Sequence, residues 1–291
     1  MNESRLEQKL RNREFPITAE LFSIRGTDVS TIMKKAELLR DYADAFNITD
    51  NHRATMRVCP LAVCSKLVQT GLEPVFQITC RDRNRLALQS DTLGAYLMGI
   101  RNIFAVTGDH LSVGDYPMAF PVFDLDSVQF LRNLTELERG RDSAGKKLRG
   151  APKFFKGAAV NMTATPEWIH LAKLRKKIVA GAQFFQSQLI FSPELALSML
   201  EKVKGQAYFI AGITILKDLT FTRFLKEKVP GIYIPDEMIR HQEKAGDELK
   251  AGLEIAVSVI RELRDHFDGL HVMALGLEEY IPEILKKSGV R

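Results

Sequence analysis

Eight short apolar runs alternate along the chain with segments whose apolar residues recur at helical spacing. The runs are rich in β-branched and aromatic residues and stop at polar residues or glycine, as expected of buried parallel strands. They cover residues 17–22, 45–50, 73–80, 100–108, 154–161, 182–190, 207–215 and 269–276. Strand-helix alternation predicts a parallel sheet, and eight units in 291 residues favour closure of that sheet. The expected fold is therefore α/β, a single-domain (β/α)8 TIM barrel.

The segments between the runs predict the helices and loops around the barrel. Helices are expected at residues 29–42, 55–69, 84–98, 125–137 and 166–179. A leading amphipathic helix is expected at residues 1–14, and a long helix begins near Asp247, which is well placed as an N-cap. Residues 139–156 are rich in Gly, Ser and basic side chains and read as a surface loop, including Lys156. No linker divides residues 1–291, so we expect one domain.

Composition narrows the class of protein. Hydrophobic residues make up 45% and charged residues 26% of the chain, and no apolar run approaches the length of a membrane span. We therefore expect a cytoplasmic protein that contacts no membrane. The 41 basic residues are spread among 36 acidic ones without a nucleic-acid motif, so no nucleic-acid partner is expected. Cys59, Cys64 and Cys80 read as buried small hydrophobes in a reducing compartment, and no metal site is expected.

Polar residues stand at the ends of six of the apolar runs. Because the strands of such a barrel are parallel, their carboxyl ends open at one mouth, where barrel enzymes place their active sites. The six residues are Glu20, Thr49, Thr79, Asp109, Asn161 and Gln188. We expect these side chains to gather around one site.

Glu20 is the strongest candidate for acid chemistry. It lies between Ala19 and Leu21 in an apolar strand, where burial of a carboxylate is costly and raises its pKa. A carboxyl that stays neutral near physiological pH can act as a general acid. The structural alternative is a carboxylate paired with an Arg or Lys inside the barrel.

Asp109 and His110 follow the fourth strand. Gly108 precedes them and permits a close approach of a ligand to the backbone. Asp109 is either a site carboxylate or a helix cap, and His110 is either a proton shuttle or a solvated loop histidine.

Two amides and three lysines complete the candidates. Gln186 and Gln188 alternate along the sixth strand, so both are expected on one face, where they contact a polar ligand or form a structural network. Lys173, Lys176 and Lys177 lie on one predicted helix, for which a solvated face is the default. No dinucleotide fingerprint, phosphate loop, zinc-protease motif or nucleophile elbow occurs, so carboxylates and amides around a bound cofactor or substrate must carry any chemistry.

Four stretches of the sequence carry a family resemblance. They are NITDNHRA at 47–54, GLEPVFQITCRDRNRLALQSD at 71–91, VTGDH through VFDLDSVQ at 106–129, and AGAQFFQSQ at 180–188. In these stretches the chain resembles the methylenetetrahydrofolate reductase family of flavin-dependent barrel enzymes. The resemblance covers residues 17–290 and is greatest for short, single-domain reductases of anaerobic bacteria. It implies the reduction of 5,10-methylenetetrahydrofolate to 5-methyltetrahydrofolate in one-carbon metabolism.

The same resemblance implies roles for individual residues. Glu20 becomes the general acid, Asp109 the carboxylate beside the flavin, and Gln188 a catalytic amide contacting the folate. Flavin contacts, to FAD or FMN, fall on Thr49, Gln77, Thr107, Gly108, Asp109, His110, Ala158, Lys173, Lys176 and Lys177. Folate contacts fall on Glu20, Gln186, Gln188 and Leu219.

The chain departs from the family pattern at the mouth. Ser23-Ile24 stands where the family has a proline pair, Ile215 where a proline is common, and Leu277 where some members have a folate-binding arginine. These changes motivate the hypothesis that a partner subunit, rather than NADH, delivers the electrons, and an oligomer is expected. One alternative is a weakly active or noncatalytic reductase-like subunit of an electron-transfer complex. Another is a lyase or hydrolase that uses Glu20 and Asp109 without flavin.

Overall fold

The computed structural model describes residues 3–291 and contains eight parallel strands that close into one barrel. Each strand pairs with the next along the chain, and the first pairs with the eighth. The strands are β1 Ile17–Leu21, β2 Ala45–Ile48, β3 Pro74–Thr79, β4 Asn102–Val106, β5 Phe155–Val160, β6 Phe184–Leu189, β7 Tyr208–Ile213 and β8 Gly269–Val272. The predicted single-domain (β/α)8 TIM barrel is confirmed.

Helices follow the strands and pack around the sheet. They are α1 Arg5–Arg11, α2 Ser30–Leu38, α3 Pro60–Gln69, α4 Arg85–Leu97, α5 Ser127–Glu138, α6 Glu167–Val179, α7 Pro193–Glu201, α8 Leu219–Lys228, α9 Asp236–Lys244, α10 Glu248–Leu263 and α11 Ile281–Ser288. Asp247 caps α10 by accepting a hydrogen bond from the Lys250 backbone N–H, as predicted. Within residues 3–291, no helix is both long and apolar enough to cross a membrane.

The barrel interior is closed at its N-terminal end by an apolar plug. Leu6 and Leu10 of α1 are buried against inward-facing residues of the strands. Phe155 and Phe184 stack there with their ring centroids 4.7 Å apart. The other members are Ala45, Val75, Phe104 and Ile210. This plug leaves the C-terminal end as the mouth in which a ligand can enter the barrel.

The structure corrects the predictions for the leading helix, Lys156 and Cys59. The leading helix is shorter than residues 1–14, because Ser4 caps it and it ends at Arg11; residues 1–2 lie outside the described part. Lys156 is not in the solvated loop, because it lies in β5, is buried and pairs with Glu138. Cys59 is exposed rather than buried, because it precedes the first residue of α3.

Candidate active site

The barrel brings the ends of its strands to one mouth, and Glu20 lies near the end of β1. Its side chain is only 11% exposed. Gln77 Nε2 donates a hydrogen bond of 3.1 Å to Glu20 Oε2, and His271 Nε2 lies 3.7 Å from the same oxygen. Glu20 is therefore held by neighbouring strands at the upper end of the barrel interior.

The electrostatics of Glu20 differ from the sequence expectation. Burial raises its pKa, but the nearby His271 ring, the charge of His52 and the Gln77 amide together lower the pKa below its ordinary value. The expected raised pKa is therefore wrong for the free protein. The expected structural alternative is also corrected, since the partner is a histidine rather than an Arg or Lys.

His52 also belongs to this site, although the sequence analysis did not select it. Its ring meets Phe22 edge-on, with centroids 5.0 Å apart, where the chain turns after β2. Partial desolvation lowers the pKa of His52, while the carboxylates of Glu20 and Asp109 act in the opposite direction. His52 is therefore close enough to both candidate carboxylates to be influenced by their charge.

Asp109 is an exposed carboxylate in the mouth and not a helix cap. The cap of the short turn at Leu111–Val113 is His110, whose Nδ1 accepts from the Ser112 backbone N–H at 3.2 Å. Gly108 has a φ of +97°, and a Cβ there would lie 2.9 Å from Arg81 Cβ. Glycine is thus required before Asp109 both for backbone conformation and for space.

A buried ion network lies in the loops that follow β2 and β3 at the mouth, and no sequence pattern predicted it. Asp50 accepts from the Thr79 backbone N–H at 2.8 Å and from Arg83 Nη1 at 2.6 Å. Arg81 is 1% exposed, pairs with Asp82 and donates to the Asp109 backbone carbonyl at 3.3 Å. The network joins the chain that follows β2 and β3 and holds the backbone carbonyl of Asp109.

The two glutamines of β6 occupy different environments. The pairing of β6 with β7 shifts register between Gln186 and Leu189, which interrupts the regular alternation of side chains. Gln186 is buried and forms two hydrogen bonds with Asn47, whereas Gln188 is exposed at the mouth. Gln188 is thus accessible to a ligand, while the amide of Gln186 is used inside the barrel.

The remaining predicted cofactor and substrate residues are dispersed. Thr49 is buried, and Thr107 accepts from the first backbone N–H of α5 at 3.2 Å. Ala158 is packed between the sheet and the helices. Leu219 is partly buried at the start of α8.

The three lysines of α6 also separate. Lys173 and Lys176 are exposed. Lys177 donates to the Ala159 carbonyl at 2.6 Å, and burial, with the nearby charge of Lys173, lowers the pKa of Lys177 to about 8. The solvated helical face expected for all three therefore holds for two of them.

The chemistry of the mouth fits a planar cofactor that carries phosphates. Large apolar side chains are exposed beside the polar strand ends, on the loop that joins β4 to α5 and at the start of α6. They are Val113, Tyr116, Met118, Phe120, Val122 and Trp168. Apolar surfaces with a few polar groups suit a ring system, and exposed lysines suit phosphate. The residues present therefore fit a flavin.

A cavity of about 780 Å³ lies at the opposite end of the barrel. It is lined by the end of α1 and the starts of β5 to β8, including Arg13, Tyr208 and Asp268. None of the predicted site residues lines it. In barrels of this kind the N-terminal face serves stability, so we assign the chemistry to the mouth.

The fold and the site together define a TIM barrel whose mouth carries a nearly buried carboxylate, an exposed carboxylate and an accessible amide. The family model of methylenetetrahydrofolate reductase matches residues 5–289. The chain therefore belongs to the methylenetetrahydrofolate reductase family, which confirms the resemblance seen in the sequence. No curated protein matches the chain.

Solved structures of similar fold share little sequence with the chain. An uncharacterized protein from Clostridium thermocellum that binds two copies of 5-methyl-5,6,7,8-tetrahydrofolic acid is 14% identical, with a TM-score of 0.63 and 98% of each chain covered. A tryptophan synthase structure from M. tuberculosis gives 14% identity and a TM-score of 0.53, covering 99% of this chain and 97% of the other. A 2,3-dimethylmalate lyase is 13% identical, with a TM-score of 0.51, and the match covers 98% of this chain and 87% of the other. At these identities the similarity shows the fold alone.

Proposed function

We propose that the protein reduces 5,10-methylenetetrahydrofolate to 5-methyltetrahydrofolate with a bound flavin. The observation that carries the proposal is the position of Glu20 in a chain of this family, at the mouth and held by Gln77 and His271. The folate bound by the Clostridium thermocellum protein supports the choice of substrate. A lyase or hydrolase without flavin has no comparable support.

The flavin, FAD or FMN, would lie across the exposed end of β4 and its neighbours. When bound, it supplies the reducing equivalents for the reaction. Thr107, His110 and the backbone at Gly108 would contact it, with Asp109 beside the ring. Thr49 and Gln77 would contact it from the neighbouring strand ends, and Lys173 and Lys176 offer positive charge for its phosphates. Lys177, which donates to the Ala159 carbonyl, and Ala158, which is packed between the sheet and the helices, would support the flavin site without contacting the flavin.

The residues of the chain have two tasks on the folate. Gln188, exposed at the end of β6, would orient the pterin through its amide, and Leu219 at the start of α8 would contact the folate. Glu20 would donate a proton to the bridging nitrogen of the substrate, so that the five-membered ring opens. The lowered pKa of Glu20 means that the carboxylate must first take up a proton in the free protein.

The second candidate function is that of a reductase-like subunit in an electron-transfer complex. The exposed apolar side chains of the loop between β4 and α5 favour it, because such patches mark interaction sites. Met118 is 90% and Phe120 96% exposed, close in sequence to Asp109. A protein partner docked there would reach the flavin from the side of β4, and we propose this route for the electrons in preference to NADH.

Purification of the protein with its cofactor tests the proposal. The released cofactor is identified by chromatography, and turnover is measured with methylenetetrahydrofolate and a reduced artificial electron donor. We expect a yellow protein that forms 5-methyltetrahydrofolate catalytically. A protein that neither carries nor takes up flavin would contradict the proposal. Flavin-loaded protein without turnover would instead favour the noncatalytic subunit.

A further inference from the structure

A buried polar layer lies directly beneath Glu20, between the mouth and the apolar plug. It contains Thr18, Asn47, Gln186 and His271, each at most 3% exposed. No sequence prediction included His271, which sits two positions before Met273 in the apolar run of β8. Because this buried imidazole faces a candidate general acid, the positions of its protons determine whether it can exchange a proton with Glu20.

The contacts of Thr18 fix where the first proton of His271 lies. Gln186 Nε2 donates to Thr18 Oγ1 at 3.0 Å, and Thr18 Oγ1 donates to the Leu270 carbonyl at 3.3 Å. His271 Nδ1 lies 2.9 Å from the same hydroxyl oxygen. A hydroxyl has one proton to donate and two lone pairs to accept with. The arrangement that makes all three bonds at once has His271 Nδ1–H donating to Thr18.

Gln186 has no proton left to donate to His271 Nδ1. Its amide nitrogen has two protons, one directed to Thr18 and the other to Asn47 Oδ1 at 3.0 Å. Asn47 in turn donates to Gln186 Oε1 at 2.6 Å, so the amide pair is fully used. With Nδ1 protonated, Nε2 is the position at which the ring gains or loses a proton, and it faces Glu20 Oε2 at 3.7 Å.

We infer that His271 is a positioning residue that stores a proton and passes it to Glu20. This rests on the proposed function. The proton moves from His271 Nε2 to Glu20 Oε2, and the carboxyl then gives one proton to the bridging nitrogen of the substrate. No electrons move in either transfer, and His271 is left as a neutral ring that keeps its Nδ1 proton. The gap of 3.7 Å exceeds a hydrogen bond and closes by rotation of the Glu20 carboxyl.

The neighbours of the pair are consistent with this direction of transfer. Besides His271, the groups that act on Glu20 are the Gln77 amide and His52. Desolvation lowers the pKa of His52, and the charge of Asp109 in turn acts to raise it. The groups that face His271 from below, Thr18 and Gln186, are uncharged. In the free protein the lowered pKa of Glu20 means that this carboxyl holds its own proton less tightly than an ordinary glutamic acid does.

Nitrogen NMR of selectively labelled wild-type protein tests the inference without any assay. We expect His271 Nδ1 to remain protonated throughout a pH titration, while Nε2 changes together with the Glu20 carboxyl carbon. A His271 ring whose Nδ1 carries no proton would overturn the inference. The signals are assigned by their loss in His271→Asn and Glu20→Gln.

Variants separate this inference from the proposed function. In His271→Asn the pKa of Glu20 should rise, and kcat should fall about tenfold or more with KM little changed, as for loss of a proton donor. Thr18→Val, which keeps the imidazole, should release the fixed Nδ1 tautomer. The exposed His266→Asn is the matched control and should change neither quantity. If the protein turns over no folate, the proposed function fails, but the NMR titrations still test the inference about His271. An unchanged Glu20 titration in His271→Asn would overturn the inference even in an active enzyme.

Discussion

Individual polar residues at the mouth divide into those that hold the backbone and those free to react. Ser23, which replaces a family proline, belongs to the first group. Its hydroxyl donates to the Thr49 carbonyl at 2.7 Å, and its N–H donates to Thr49 Oγ1 at 3.2 Å. The loop after β1 therefore keeps its rigidity through hydrogen bonds that a proline could not make in full. Asp109, with its carboxylate exposed, belongs to the second group.

Replacement of Ser23 tests this division. Ser23→Ala should lower the free energy of unfolding by about 1 kcal/mol, the usual net contribution of one hydrogen bond. Ser23→Pro should lower it further, because it also removes the N–H donor. Urea unfolding measures both. A proline variant as stable as the wild type would show that the loop does not depend on these bonds.

Asp109→Asn should retain the flavin but raise its reduction potential. A carboxylate near the ring opposes the negative charge of the reduced form, and its removal relieves that opposition. Anaerobic titration against a reference dye measures the potential. Asp265→Asn, on the exposed end after α10, is the control. An unchanged potential together with unchanged turnover would remove Asp109 from the site.

At the scale of elements, apolar patterning was sufficient to locate all eight strands, because each is buried on both faces. The β6 irregularity was not predictable, since it arises from pairing with β7 rather than from local sequence. The same holds for Lys156, whose burial depends on Glu138 in α5. His271 was missed because one polar residue in an apolar run carries no signal until its partners from β1 and β6 are known.

Helix α1 is attached to the barrel by Glu73. The Glu73 carboxylate accepts from the Arg5 backbone N–H at 2.5 Å, the Leu6 N–H at 2.8 Å and Asn102 Nδ2 at 2.9 Å. Burial raises the pKa of Glu73, although these hydrogen bonds oppose the shift. The folded protein thus holds this proton more tightly than the unfolded chain does.

The pH dependence of stability follows from the direction of the Glu73 pKa shift. The contribution of Glu73 to stability is fully present below its unfolded pKa and is lost as pH rises through the folded pKa. Glu73→Gln should remove this dependence. The difference in the free energy of unfolding between variant and wild type should therefore change between acidic and neutral pH. Urea unfolding at several pH values measures it. A constant difference across that range would contradict the assignment.

At the scale of the whole molecule, the barrel is layered from an apolar plug through a buried polar layer to a reactive mouth. The exposed apolar loop after β4 lies on the mouth side, and it is the surface on which we propose that an electron-donating partner docks. A nicotinamide would have to enter the same mouth as the folate, whereas a protein partner would dock on this loop.

Stopped-flow reduction of the isolated protein tests the electron donor. We expect NADH to reduce the flavin much more slowly than the enzyme turns over with an artificial donor. Samples of Met118→Ser and Phe120→Ser are matched to the wild type in flavin content; the artificial donor should then reduce them at the wild-type rate, while the protein partner should reduce them more slowly. Rapid reduction by NADH, at a rate comparable with folate turnover, would overturn the partner hypothesis and leave a self-sufficient reductase.

The reaction of reduced, flavin-loaded protein with methylenetetrahydrofolate tests the central claim most directly. The protein is reduced chemically without oxygen and mixed with substrate, and the return of flavin absorbance is followed together with 5-methyltetrahydrofolate. Wild type and a Glu254→Gln control, exposed on α10, should be reoxidised with one product per flavin. Glu20→Gln should be reduced normally and reoxidised at least about a hundredfold more slowly, as for loss of a general acid. Equal reoxidation of Glu20→Gln, or none in the wild type, would contradict the account.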